Sequence, residues 1–193
     1  MTIKCLGIES TAHTFGAGIA SYDKENFKIH SNQKACFFPE KGITPALAAV
    51  HHAQEAPKII KIALKKAGVE MKDIDIISFS IGPGLPPCLI VGSTAAKIMA
   101  LKHKKMLVGV NHCAAHIEIA KELTGCKDDF VVVFVSGGNS QILSKVNGKY
   151  RIFGETQDIA VGNAIDKFAR TADLGFPGGP VIENLAKGGK YIP

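Results

Sequence analysis

Arginine is nearly absent from this chain: among 23 basic residues only Arg151 and Arg170 are arginines, so the net charge of +6 is carried by lysine. A basic excess of that size allows an anionic partner such as nucleic acid without requiring one. Long apolar runs are missing too. The most apolar stretch, residues 89–101, is broken by Gly92, Ser93, Thr94 and Lys97, short of the roughly 20 apolar residues of a membrane span. The opening Met1-Thr2-Ile3-Lys4-Cys5 lacks the apolar region of a secretion signal. The cysteines are five in number, Cys5, Cys36, Cys88, Cys113 and Cys126, with no Cys-x-x-Cys pair. That excludes a disulfide frame or a structural zinc knuckle and implies reduced thiols in the cytoplasm. What remains, 46% hydrophobic and 21% charged over 193 residues, fits a soluble globular chain of one domain or one and a half.

Periodicity divides the chain into strands and helices. Residues 3–8 are apolar, Glu9-Ser10-Thr11 turns, residues 16–21 return, residues 23–26 turn again, and Phe27-Lys28-Ile29 alternates. A helix is expected from about Thr44, with Pro45 at its first position and Pro57 kinking or splitting it. Residues 74–81 read as a buried strand. The run Gly82-Pro83-Gly84-Leu85-Pro86-Pro87 reads as a stiff loop, neither helix nor central strand. A helix over residues 89–101 and a strand over 107–110 follow.

Next comes Asn111-His112-Cys113-Ala114-Ala115-His116-Ile117-Glu118. If Asn111 caps a helix ending near Leu123, His112 and His116 share one face, because i and i+4 side chains are neighbours. Two imidazoles so placed can hold one transition metal. Cys113 lies about 100° away on an ideal helix and reads as packing. His51, His52 and Glu55 also gather charge and imidazole, but adjacent histidines diverge on a helix, and this group reads as surface or groove.

The pattern then restarts. Residues 130–135 form a buried strand, Ser136-Gly137-Gly138-Asn139 turns, residues 140–146 return, Asn147-Gly148 makes a tight hairpin, and residues 149–153 alternate. Glu9-Ser10-Thr11 and Ser136-Gly137-Gly138 correspond, which marks a duplication of a large unit, residues 1–126 and 127–193. Two such halves place their first turns across a cleft, where the Gly137-Gly138 amides become a candidate phosphate cradle. After helices over residues 162–171 and 181–186 the second copy has no counterpart for most of the first copy's later steps. Its sheet is expected to carry an uncovered apolar face.

Seven ordered motifs carry a resemblance: Gly7-Ile8-Glu9-Ser10-Thr11-Ala12-His13-Thr14-Phe15-Gly16, Gly82-Pro83-Gly84-Leu85, the histidine segment, Ser136-Gly137-Gly138-Asn139, Gly154-Glu155-Thr156, residues 162–170 and Pro177-Gly178-Gly179-Pro180. Together they resemble the tRNA threonylcarbamoyladenosine synthase family, TsaD in bacteria and the catalytic KEOPS subunit in archaea and eukaryotes, with His13-Thr14-Phe15 in the archaeal and eukaryotic form. The resemblance implies an α/β, actin-like ATPase (ASKHA) fold of two ribonuclease-H-like halves, the second incomplete here. It implies transfer of threonylcarbamoyl from threonylcarbamoyl-AMP to N6 of the adenosine at tRNA position 37, with tRNA and KEOPS-type proteins as partners. It also implies one divalent metal, iron or zinc, on His112 and His116, and an ATP- or AMP-type nucleotide in the cleft.

The family's substrate contacts fall on Phe134, Val135, Ser136, Gly137, Gly138, Asp166, Gly179 and Glu183. Asp166 and Glu183 are suited to accept hydrogen bonds from ribose hydroxyls. Glu9 is expected either to orient substrate or water or to stabilise its own turn, and His13 to line the cleft, which makes these two the candidate catalytic side chains. Two departures stand out. Phe134 occupies the place of a tyrosine ligand and has no oxygen to give. An aspartate ligand and a nucleotide-contacting asparagine of the family fall beyond Pro193. The chain is therefore expected to need a separate C-terminal half or a protein partner, the alternative being a non-catalytic truncated relative that serves as a scaffold. A zincin protease is excluded, since Cys113 stands where His-Glu-x-x-His requires the glutamate. A sugar or acetate kinase of the same fold would need no histidine pair.

Overall fold

The computed structural model describes residues 2–24, 26–39, 43–126 and 130–190. The described residues divide into two compact units, one within residues 2–39 and 43–123, the other within residues 124–126 and 130–190.

The first unit is a five-stranded sheet in the order β3-β2-β1-β4-β5. β1 (Ile3–Glu9), β2 (Thr14–Asp23) and β3 (Asn26–Cys36) form an antiparallel meander. β4 (Ile76–Gly82) lies parallel to β1, and β5 (Met106–Asn111) lies parallel to β4. These three strands run the same way and finish at one edge. Two helices, α1 (Pro45–Ala67) and α2 (Pro86–His103), supply the apolar side chains that cover one face. Leu6, Ile8, Phe15, Ala17, Ile19 and Ile77 of the sheet pack against Ala56, Ile59, Ile60 and Ala63 of α1 and Ala96 and Ala100 of α2. α3 (His112–Thr124) follows β5 directly.

Three expectations are corrected. α1 continues as one helix through Pro57, so the proline does not split it. The missing N–H and ring clash cost about 3 kcal/mol, which burial of residues on either side of the proline, from Ala48 and His52 to Ile59, Ile60 and Ala63, offsets. Pro86 and Pro87 are not loop but the first turn of α2, where the N–H groups they lack would have had no helical partner. Gly82 is the last residue of β4. His52 is no surface residue: it is fully buried, its ring 5.9 Å from that of Phe15. Its Nε2 donates to the carbonyl of Ala12 at 2.9 Å, and Nδ1 lies 3.3 Å from Nδ1 of His51. The adjacent rings do meet, at 5.6 Å between centroids.

The second unit holds a three-stranded antiparallel sheet, β6 (Val131–Val135), β7 (Ser140–Val146) and β8 (Lys149–Glu155), in that order. It repeats the β1-β2-β3 meander, including a register shift between its second and third strands. Asn147 and Gly148 take φ of 50° and 76°, as the Asn-Gly hairpin requires. α4 (Val161–Thr171) and α5 (Gly178–Ala186) complete it. The sheet leaves Val131, Val133 and Phe153 each 70% exposed. Among the described residues no helix is long and apolar enough to cross a membrane.

Where α2 crosses β1, a Cβ built on Gly92 would stand 2.0 Å from Ser10 Oγ and 2.8 Å from its Cβ, and Ser10 is only 1% exposed. Gly92→Ala is expected to destabilise the fold by about 1–3 kcal/mol by overpacking, despite a helix-propensity gain of about 1 kcal/mol. Urea titration monitored by circular dichroism measures this. His52 gives a pH signature. Burial lowers its pKa, against the pull of the Ala12 carbonyl and the Glu9 charge. A folded-state pKa below the unfolded value of about 6.5 means that its contribution is full above that value and is lost as pH falls through the folded pKa. Between pH 7.5 and 5.5 the unfolding free energy of the wild type is expected to fall, and that of His52→Gln, which keeps a donor for Ala12, to fall less.

Candidate active site

Parallel strands ending together bring residues remote in sequence to one edge, and the carboxyl ends of such strands are where α/β folds bind ligands. Here β1 ends in Glu9, β4 brings Ser80 alongside, and β5 hands over through Asn111 to α3. Asn111 caps that helix, its Oδ1 accepting from the Ala114 N–H at 3.1 Å. His112 and His116 consequently share a face, their rings edge to face at 88° with centroids 4.5 Å apart.

Glu9 joins these elements. Oε1 accepts from the Thr11 amide at 2.7 Å and from the Thr11 hydroxyl. Oε2 accepts from the Ser80 hydroxyl and from His112 Nδ1, the latter at 3.2 Å. Burial alone would raise the Glu9 pKa, but the bonds from His112, Ser80 and Thr11 outweigh it and bring it to about 2. Partial burial and the neighbouring His112 push the His116 pKa below its usual range, against the charge of Glu9.

The turn that carries Glu9 is held on every side. Leu85 N–H donates to the Thr11 carbonyl at 2.7 Å, and a Cβ on Gly84 would stand 2.6 Å from that oxygen, so the segment after β4 closes on the turn only because Gly84 has no side chain. His52 anchors Ala12 from α1. His13, a candidate catalytic residue in the sequence, packs its ring against Phe38 at 5.9 Å. None of Ser80, Thr11, Gly84 and Gly92 is among the residues the sequence marks as catalytic, substrate-binding or metal-ligating, although Thr11 and Gly84 lie within two of the seven ordered motifs. Ser78 and Ser80 interrupt an otherwise apolar strand, and that was the available signal.

In the second unit, Ser136 opens a turn closed by its amide to the Asn139 carbonyl at 2.7 Å and by the Asn139 amide to Ser136 Oγ at 3.0 Å. α4 begins against this turn. Gly162 N–H donates to the Ser136 carbonyl at 3.2 Å, and a Cβ there would meet that oxygen at 2.7 Å. One turn along α4, Asp166 Oδ1 accepts from the Gly178 amide at 2.8 Å and ties down the start of α5. Through α4 the Ser136 turn, Gly162, Asp166 and Gly178 are thus linked, with Gly179 next in sequence on α5. Phe134 is half-buried within β6, Val135 is exposed at its end, and Glu183 is exposed on α5.

Among the described residues no group of three or more His, Cys, Asp and Glu side chains is placed to hold a metal ion. Two imidazoles on one helix face, one with a carboxylate on its second nitrogen, fit two positions of a transition-metal site and no more.

The tRNA N6-adenosine threonylcarbamoyltransferase of Thermococcus sibiricus is 54% identical over 189 residues, covering 97% of this chain and 56% of that protein. The protein of the same name from Thermofilum pendens is 49% identical over 193 residues, covering 99% and 56%. The chain spans about half the length of the curated relatives it matches. YeaZ from Pseudomonas aeruginosa superposes with a TM-score of 0.52 at 15% identity, covering 80% of this chain and 66% of that one, which supports the actin-like fold. The sequence profile of TsaD, tRNA N6-adenosine threonylcarbamoyltransferase, matches residues 27–193, and the chain belongs to that family.

Proposed function

We propose that this chain acts in tRNA threonylcarbamoyladenosine synthesis, transferring threonylcarbamoyl from threonylcarbamoyl-AMP to N6 of the adenosine at tRNA position 37. On this reading it works in the cytoplasm with the remainder of the fold supplied by a separate C-terminal half or a KEOPS-type partner. The observation that carries the reading is the His112–His116 pair at 4.5 Å, in a chain of this family.

A divalent metal, iron or zinc, held by His112 and His116 would supply a Lewis acid for the threonylcarbamoyl group. The other steps belong to the chain. The Ser136–Asn139 turn spends the Ser136 and Asn139 amides on its own closure, which leaves those of Gly137 and Gly138 to surround anionic oxygens of the acyl-adenylate. Asp166 keeps Oδ2 for a ribose hydroxyl while Oδ1 holds Gly178, and Glu183 serves a second hydroxyl. Phe134 and Val135 flank the turn on the strand side, and Gly179 lets ligand approach the start of α5. His13 lines the approach to the Glu9 turn. An ATP- or AMP-type nucleotide occupies the same cluster through its phosphate. A scaffold role without chemistry is the second reading, favoured by the two-imidazole donor set among the described residues.

The two readings separate in one assay. Unmodified tRNA and threonylcarbamoyl-AMP are incubated with the chain alone, and with the chain plus the segment of the Thermococcus sibiricus relative beyond the matched region. Nucleosides are then counted by mass spectrometry, and metal in the protein is measured by elemental analysis. The enzyme reading expects product and stoichiometric metal in the mixture. It also expects His116→Ala to lower transfer by more than the roughly 10–100-fold typical of a lost outer-shell partner. Neither product nor metal under any condition would sink it and leave the scaffold.

A further inference from the structure

The four bonds to Glu9 settle what that side chain is available to do. An ionised carboxylate only accepts hydrogen bonds and has about four lone-pair sites. On Glu9 these are taken by the Thr11 amide, the Thr11 hydroxyl, the Ser80 hydroxyl and His112 Nδ1. A general base must present a lone pair to the proton it removes, and this carboxylate has none to present. Of the two expectations for Glu9, these bonds suit the carboxylate that stabilises its own turn.

The same accounting fixes the histidine. Because the partner at 3.2 Å is an acceptor, His112 Nδ1 must be the donor. A neutral imidazole with its proton on Nδ1 carries its lone pair on Nε2. We infer that Glu9 is a positioning residue: braced by Thr11 and Ser80, it locks His112 in the Nδ1–H tautomer so that Nε2 is the nitrogen offered to a ligand. Its bracing comes from two other places in the chain, its own turn and β4, so the ring's orientation is set by the sheet edge and not by α3 alone. This rests on the reading of His112 as a metal ligand only for its use; the tautomer itself is a property of the chain without metal.

The test is Glu9→Gln in the full chain. Its carbonyl can replace Oε1 for Thr11, which leaves the amide N–H₂ facing His112 Nδ1 and Ser80 Oγ, a hydroxyl able to accept. The amide then donates to Nδ1 and drives the proton to Nε2. Long-range ¹H–¹⁵N spectra of metal-free protein at pH 8 are expected to show Nδ1–H in the wild type and Nε2–H in the variant. Where the chain binds zinc, titration with zinc alone is expected to give the variant an affinity roughly 10–100-fold lower. An Nε2–H wild type, or a tautomer that Glu9→Gln leaves unchanged, would overturn the inference. Expected tautomers in a chain that takes up no zinc would support the role of Glu9 and count instead against the ligand reading of His112. If Glu9→Gln does not fold, Ser80→Ala carries the question. Loosening Oε2 must shift or broaden the His112 Nδ1 resonance, and a spectrum identical to wild type refutes the bracing.

Discussion

Everything around the candidate site depends on where one negative charge is kept. An anion withdrawn from water has to be given donors or it neutralises, and Glu9 receives them from three parts of the chain. One is its own turn, one is the neighbouring strand β4, and one is the first residue of α3. Each donor is also a partner that would be left unsatisfied without the carboxylate, at about 1–3 kcal/mol apiece where buried. The charge therefore works as a fastening between β1, β4 and α3, and the parallel alignment of the strands is what puts the three within reach.

The small residues near that turn follow from the same requirement. To bring four donors onto one carboxylate, the backbone after β4 has to lie against Thr11, and α2 has to lie against Ser10. Gly84 and Gly92 stand at those two contacts, where a Cβ would fall 2.6 Å from the Thr11 carbonyl and 2.0 Å from Ser10 Oγ. A buried histidine on α1 holds the next carbonyl, that of Ala12. Two helices and the segment after β4 thus clamp a turn of a few residues. The second unit arrives at a comparable rigidity by a different route, with Gly162 letting α4 press on the Ser136 turn and Asp166 tethering α5.

Local rules carried much of this into the sequence. The His112–His116 spacing, the Asn111 cap, the Asn147-Gly148 hairpin and the repeated meander are all set within a few residues of chain, and all appear as the pattern indicates. Features decided by distant packing were hidden. Pro57 reads as a break because its local cost is visible, while the buried residues that offset it lie on the sheet side of the helix. His52 reads as surface because a histidine beside another histidine looks polar, whereas its burial comes from Phe15 and Ala12, some forty residues earlier in the chain. Ser80 and Glu9 are 71 residues apart, and no local pattern announces that they meet.

On the proposed reading the two visible deficits are physically connected. A pair of imidazoles is a weak metal site, and the sheet of the second unit leaves Val131, Val133 and Phe153 largely in water. A polypeptide that brings the missing ligands and covers apolar surface would gain from both, since each buried side chain of this size is worth about 1.5–3 kcal/mol. Linkage then runs in both directions. The metal strengthens association by the same factor by which association strengthens metal binding. The His112 ring, already held by Glu9 before any ligand arrives, would lose little freedom when the site is completed. Pre-positioning one ligand reduces the ordering cost of completing the site, and that is a physical reason for a fully bonded carboxylate to stand behind one of the two imidazoles.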